Sequence, residues 1–129
     1  MEISARVVNK SGEHEVLLST DAREQSLQIV PKQEGFGSSV NGGGLLFLAL
    51  ATCYCNDLYR EAKKRGIELN SVEVQVSGEF SGEAAPARNI QYTASVSGSA
   101  PDSELLALMR HTDSVAEIQN TLRHQRRLF

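Results

Sequence analysis

The stretch LLFLALATCYCNDLYREAKKR, residues Leu45 to Arg65, contains neither proline nor glycine, and Gly66 follows it directly. Its first half is apolar on every side, and charged residues enter only after Asn56. This pattern predicts one long helix that ends with Gly66 in the C′ position. We expect the first half to be fully buried. Because one small domain has difficulty enclosing a helix on all sides, a second subunit should supply part of the cover, so a homodimer is predicted.

The residues before this helix predict a β-rich segment. Apolar and polar residues alternate from Ile3 to Val7, and His14 to Ser19 and Gln25 to Val30 read as two further strands. These three strands should form a meander. Pro31 to Gly44 is rich in glycine and serine and predicts a loop that leads into the helix.

The residues after the helix predict a hairpin and two short helices. Alternation from Leu69 to Phe80 and from Ile90 to Val96 indicates two paired strands. A short helix should follow from Pro101 to Met109, and Asp113 is a candidate cap for a last helix that ends at Leu122. The predicted order is βββ-α-ββ-αα, which is an α+β fold.

Length and charge restrict the classes of function. At 129 residues the chain has the size of one domain, 1–129, without an internal repeat or linker. A net charge of −3 gives no general attraction for nucleic acid or an anionic membrane, and the basic cluster Arg123 to Arg127 is interpreted as a solvated end. The sequence starts without a leader pattern, and its longest apolar run, Leu45 to Ala51, is too short to span a bilayer. A cytoplasmic location is therefore expected, with no nucleic-acid or membrane partner.

Cys53 and Cys55 are the only soft nucleophiles of the chain. Residues two apart on a helix point about 200° away from each other, so these sulfurs should not form a disulfide. Two thiols are too few for a structural zinc site, and the histidines lack the spacing of metal ligands. Neither a metal nor a cofactor is predicted. The histidines are His14, His111 and His124.

The surroundings of Cys53 decide whether it can react. It lies more than two turns inside the predicted helix, too deep for the helix dipole to lower its pKa, so activation requires a cation from elsewhere. Asp57, one turn further on, should raise the thiol pKa. The alternative reading is that Cys53 and Cys55 are small apolar fillers, the usual fate of buried free cysteines.

The segment Gly44-Leu-Leu-Phe-Leu-Ala-Leu-Ala-Thr-Cys53, with the helix end at Gly66 and the strand that starts at Val72, resembles the OsmC/Ohr family. The resemblance extends over nearly the whole chain. It implies an intertwined homodimer with the long helices at its centre and active sites at the subunit interface. In that family a reactive cysteine attacks a hydroperoxide, an Arg and a Glu hold the thiolate and the peroxide, and a second cysteine resolves the sulfenic acid. Cys53 matches the reactive cysteine.

The other family positions differ in this chain. The second cysteine would fall at Asp113, or at Ala116 if the closing motif is shifted by three residues. The family Glu would fall at Gly44. Cys55 and Asp113 are therefore the auxiliary candidates beside Cys53. For the family Arg, either of two N-terminal residues could serve, namely Arg6 and Arg23.

Two functions of different classes follow. In the first, Cys53 reduces an organic hydroperoxide in a one-cysteine cycle, and a small dithiol recycles it. In the second, the chain is a non-catalytic dimer that binds a small apolar ligand at its interface, with Cys53 in the wall.

Overall fold

The protein has the predicted α+β architecture. The structure, a computed structural model, describes residues 1–124 of the 129. In these residues the order βββ-α-ββ-αα is confirmed. The elements are β1 Ile3–Lys10, β2 Glu13–Thr20, β3 Arg23–Leu27, α1 Gly42–Lys64, β4 Leu69–Phe80, β5 Ala87–Gly98, α2 Asp102–Val115 and α3 Glu117–Arg123.

The chain divides into two compact units, Met1–Leu45 and the part from Leu46 onward. In the first unit, β1, β2 and β3 form an antiparallel sheet in that order, so the meander is confirmed. Strand β3 begins at Arg23, earlier than predicted, because a two-residue turn joins it to β2. Asp21 and Ala22 in this turn both have positive φ, 48° and 67°, as such tight hairpin turns require.

Helix α1 begins at Gly42, three residues before the predicted start at Leu45. Asn41 explains the difference because its Oδ1 accepts a hydrogen bond from the Gly44 N–H at 2.7 Å, as an N-cap does. Its carbonyl accepts from the Leu45 N–H at 3.2 Å. The cap places Cys53 still deeper in the helix than the sequence suggested.

The end of α1 follows the prediction. Gly66 has φ +68°, in the left-handed region that glycine adopts readily. The Ile67 N–H then donates to the Ala62 carbonyl at 2.9 Å, which closes the last turn.

The buried face of α1 belongs to its second half and to the C-terminal unit. Tyr54, Leu58 and Ala62 are buried together with Leu108 of α2. Their spacing of four residues forms a stripe that packs on the β4–β5 hairpin. Partly buried hairpin residues in this contact are Leu69, Val72, Val74, Tyr92, Ala94 and Val96.

The first half of α1 is not fully buried within one chain, so its full burial, which was expected to need a second subunit, stays a prediction. Leu45 is 41% and Leu48 57% exposed. Exposed leucines of this kind are what a second subunit would cover. The homodimer stays a prediction, as does the single domain 1–129.

Helix α2 is longer than predicted. It continues through Asp113 to Val115, so Asp113 does not cap the last helix, and α3 starts at Glu117 after Ala116 without a side-chain cap. The Asp113 carboxylate is engaged elsewhere, since it accepts a hydrogen bond from the Tyr92 hydroxyl and pairs with Arg123.

Of the basic cluster Arg123 to Arg127, the part from residue 125 onward lies outside the described residues. None of the helices within residues 1–124 combines the length and apolarity that a bilayer crossing requires.

Candidate functional site

Cys53 lies half-buried in the middle of α1 and meets two carboxylates. Its Sγ is 3.4 Å from Asp57 Oδ2 and 3.9 Å from Glu117 Oε2. Asp57 is one turn further along α1, so the expected same-face contact is confirmed. Glu117 reaches the sulfur from the first turn of α3.

Arg60 completes this group, which we name the thiol cluster: Cys53, Asp57, Arg60 and Glu117. The Arg60 Nη1 atom is 3.1 Å from Asp57 Oδ1 and 2.7 Å from Glu117 Oε1. One guanidinium therefore bridges both carboxylates that touch the sulfur. Sequence reasoning missed this cation, although a residue seven positions after Cys53 on a helix lies on the same face.

Glu61 fixes Arg60 from the other side. Its buried carboxylate lies 2.9 Å from Arg60 Nε, 3.0 Å from Lys64 Nζ and 2.9 Å from His111 Nε2. The Arg60 and Lys64 hydrogen bonds hold the pKa of Glu61 down at about 2. Arg60 is thus oriented by a carboxylate that stays ionised at all ordinary pH values.

The surroundings of Cys53 raise the pKa of its thiol. Burial is the main reason that its pKa is raised, and the hydrogen bond to Asp57 and the charges of Asp57 and Glu117 act in the same direction. The backbone N–H of Ile118 opposes them by donating to the sulfur. The sequence-based expectation that Asp57 raises the thiol pKa is confirmed.

The two carboxyls of the thiol cluster differ in their proton affinity. Burial and the adjacent Glu117 raise the pKa of Asp57. The pKa of Glu117 is lowered because its carboxylate shares hydrogen bonds with the side chains of Asp57 and Arg60. Of the two, Asp57 is the group that binds a proton more readily.

Cys55 lies on a different side of α1 from this cluster. It lines a shallow cleft beside Ala51 and Val74. Both cysteines are free thiols, so the prediction that they do not bond to each other is confirmed.

Asp113 and Ala116, the sequence candidates in the same unit as Cys53, do not contact the sulfur. Asp113 is held by Tyr92 and Arg123. Ala116 is fully buried, and it is the next residue, Glu117, that meets Cys53. The remaining candidates lie in the first unit: Arg6 on β1, Arg23 on β3, and Gly44 in the first turn of α1.

An apolar cavity of about 210 Å³ opens one turn before Cys53, at Leu50. Gln119 of α3 lies in its wall and donates from Nε2 to the Leu50 carbonyl at 3.0 Å. The lining consists of Leu50, Ile90, Tyr92, Gln119, Leu122 and Arg123.

One donor set in residues 1–124 has the spacing of metal ligands. The sulfur of Cys53 and carboxylate oxygens of Asp57 and Glu117 lie within 4.8 Å of one another. Arg60 already binds both carboxylates, and a metal ion would have to displace its positive charge. The set therefore fits a guanidinium better than a metal.

Together, the fold and the thiol cluster define an α+β protein with a cysteine site on its long helix. Residues 35–128 match the sequence model of the OsmC family, described as OsmC-like protein. The chain belongs to this family. Comparison with curated protein sequences gives no match.

Solved structures with the same fold include three of particular interest. An OsmC-like protein from Mycoplasma pneumoniae is 19% identical with a TM-score of 0.66, over 97% of this chain and 91% of that one. An OsmC-like hydroperoxide resistance protein from Jannaschia sp. CCS1 is 11% identical with a TM-score of 0.56, over 98% and 86%. An organic hydroperoxide resistance protein OsmC from Legionella pneumophila is 18% identical with a TM-score of 0.50, over 92% and 89%. At these identities the similarity establishes the fold.

Proposed function

We propose that this protein reduces organic hydroperoxides through Cys53, as a one-cysteine member of the OsmC-like family. The observation that carries the proposal is the contact set of the sulfur. A cysteine that only fills space packs among apolar side chains, whereas Cys53 Sγ lies 3.4 and 3.9 Å from two carboxylates that Arg60 bridges. Two proteins of the same fold are named for hydroperoxide resistance, which supports this choice of substrate.

The cycle needs an external thiol. Cys53 attacks the distal peroxide oxygen, the O–O bond breaks, and an alcohol and a sulfenic acid form. No second cysteine can resolve this acid, since Cys55 is on another side of the helix and Asp113 and Ala116 carry no sulfur. A small dithiol then forms a mixed disulfide with loss of water and, by its second thiol, releases Cys53 as the free thiol.

The apolar cavity at Leu50 supports a substrate with an organic tail. It begins one turn from Cys53 on the same face of α1 and is mainly apolar.

A reducing thiol pool is a property of the cytosol, so we place the activity there. We also propose a homodimer, supported by the exposed leucines Leu45 and Leu48 of α1.

The second candidate is a non-catalytic dimer that binds a small apolar ligand. The raised pKa of Cys53 favours it, because an unreactive thiol is suited to a binding wall. The cavity at Leu50 would then be the ligand site.

The deciding experiment measures consumption of cumene hydroperoxide in the presence of dithiothreitol. Wild type, Cys53→Ser and, as the matched control, Cys55→Ser are compared, and a sulfenic-acid reagent is used to label the oxidised protein. We expect turnover and labelling in the wild type and in Cys55→Ser, and neither in Cys53→Ser. Equal peroxide loss in all three proteins and in buffer would rule out the peroxidase and favour the ligand-binding dimer.

A further inference from the structure

The side chain to which the Cys53 thiol donates is a carboxylate rather than a cation. The Cys53 thiol donates its hydrogen to Asp57 Oδ2 at 3.4 Å. We propose that Asp57 is a catalytic acid–base residue in the reaction proposed above: it takes the thiol proton as the sulfur attacks and returns it to the leaving alkoxide. This inference rests on the proposed peroxidase function and assigns a second catalytic residue to it.

One oxygen of Asp57 faces the thiol, and the side chain also shares a hydrogen bond with Glu117. Arg60 Nη1 binds Oδ1 at 3.1 Å, and Oδ2 faces the sulfur. Arg60 is itself held by Glu61 and Glu117 at 2.9 and 2.7 Å, so it anchors the carboxylate through Oδ1 while Oδ2 lies against the thiol. A proton acceptor within hydrogen-bond reach of the group that it serves is the first requirement for general base catalysis.

The environment also adjusts Asp57 to the task. The side chain is buried, and burial together with Glu117 raises its pKa above that of a surface aspartate. A carboxyl group with a raised pKa is a stronger base and can also hold a proton long enough to pass it on. The charged groups that face Asp57 and Cys53 in this unit are Arg60 and Glu117.

The proposed step is balanced in atoms and electrons. The thiol proton moves to Asp57 Oδ2 while the sulfur forms a bond to the distal oxygen of R–O–O–H. The O–O bond breaks with its electron pair on the alkoxide RO⁻, and Asp57 protonates this oxygen to give ROH. Sulfur is oxidised to Cys–SOH by two electrons, the peroxide is reduced by two, and Asp57 ends as the carboxylate with which it began.

A purely electrostatic role for Asp57 predicts a different result when Asp57 is replaced. If its charge only suppresses the thiolate, then removal of the charge should accelerate every reaction of Cys53. If Asp57 also transfers a proton, removal of its carboxylate should accelerate only those reactions whose leaving group does not need to be protonated. Alkylation by iodoacetamide releases iodide without a proton, whereas reduction of a hydroperoxide requires protonation of an alkoxide.

The test compares the two reactions in wild type, Asp57→Asn and Glu117→Gln at pH 7. Glu117→Gln is the matched control because it removes one carboxylate charge from the same cluster at a longer distance from the sulfur, 3.9 Å. For Asp57→Asn we expect faster alkylation and slower peroxide reduction. The ratio of peroxide rate to alkylation rate should fall about 10- to 100-fold, within the usual contribution of acid–base catalysis. For Glu117→Gln the ratio should stay within about three-fold of the wild type, since nucleophilicity falls only partly as the thiol pKa falls.

Asp57→Glu keeps the carboxyl group and tests the inference if the asparagine variant fails to fold. Its ratio of peroxide rate to alkylation rate should be higher than the ratio of any folded variant that lacks the carboxyl group at position 57. An active wild type with an unchanged or higher ratio in Asp57→Asn would overturn the role of Asp57 and leave the peroxidase standing. A wild type that does not consume peroxide overturns the peroxidase and this inference together.

Discussion

Replacement of Glu117 by glutamine should make the Cys53 thiol more acidic, because it removes a negative charge close to the sulfur. Glu117 Oε2 is 3.9 Å from Cys53 Sγ. Its side chain is 60% exposed, so the dielectric constant of water is the appropriate one. Two like charges at this distance then repel by about 1 kcal/mol, and removal of the repulsion lowers the pKa of the thiol.

The effect on reactivity is smaller than the effect on the thiolate population. At neutral pH, below the thiol pKa, the thiolate fraction should rise about five-fold. A less basic thiolate is a weaker nucleophile, and with a Brønsted coefficient of about 0.4–0.5 the net alkylation rate should increase about two- to three-fold. Arg60 acts in the same direction, because loss of its 2.7 Å pair with Glu117 leaves more of its charge to stabilise the thiolate.

The assay is the rate of iodoacetamide alkylation of Cys53 between pH 6 and 11, with Cys55→Ser as the common background. Glu104→Gln, which removes an exposed carboxylate from the first turn of α2, is the control and should not change the curve. A pKa that is unchanged or higher in Glu117→Gln would show that Glu117 does not lie near the sulfur in solution.

The remaining predictions concern the scaffold that holds the cluster. Leu58→Ala should lower the free energy of unfolding by about 3 kcal/mol or more, since Leu58 is fully buried. Leu106→Ala, at an exposed position, should lower it by less than about 1 kcal/mol. Equal losses of the two variants in urea unfolding would refute the assignment of Leu58 to the core. Gly66→Ala should lower the free energy of unfolding by about 1 kcal/mol, because φ at Gly66 is +68° although a Cβ there meets nothing within 4 Å. Gly42 has equal space for a Cβ but no positive φ, so Gly42→Ala should leave the free energy of unfolding nearly unchanged. The carboxylate of Glu61 has its pKa lowered from 4.5 to about 2, so its stabilisation is complete above pH 4.5 and is lost as the pH falls towards 2. Glu61→Gln should remove this part of the acid dependence, and an unchanged urea midpoint profile between pH 4.5 and 2 would contradict it.

The sequence predicted the features that depend on local periodicity. The helix end at Gly66 and the contact between Cys53 and Asp57 both follow from 3.6 residues per turn, and both are confirmed. The hairpin from Leu69 onward was predicted from alternation and is also confirmed.

The errors came from capping and turn residues whose role depends on context. Asn41 caps α1 although three glycines, which disfavour helix, follow it. Asp113 looked like a cap, yet its carboxylate binds Tyr92 and Arg123 and the helix continues. The Asp21–Ala22 turn lacks the glycine that usually marks such hairpins, so the start of β3 was displaced.

The residues of the candidate site also differ in how far the sequence can predict them. Arg60 could have been found, because it lies two turns after Cys53 on one helix face. Glu117 could not, since 64 positions separate it from Cys53 and only tertiary packing brings the two together.

This dependence on packing links the chemistry of the sulfur to the last described helix. With seven residues, α3 is too short to be stable by itself and relies on contacts such as the one from Gln119 to the Leu50 carbonyl. Each transient fraying of α3 withdraws Glu117 and the Ile118 N–H from Cys53 at once. We expect the thiol to sample two electrostatic environments, with a labelling rate that follows the hydrogen-exchange protection of this one helix.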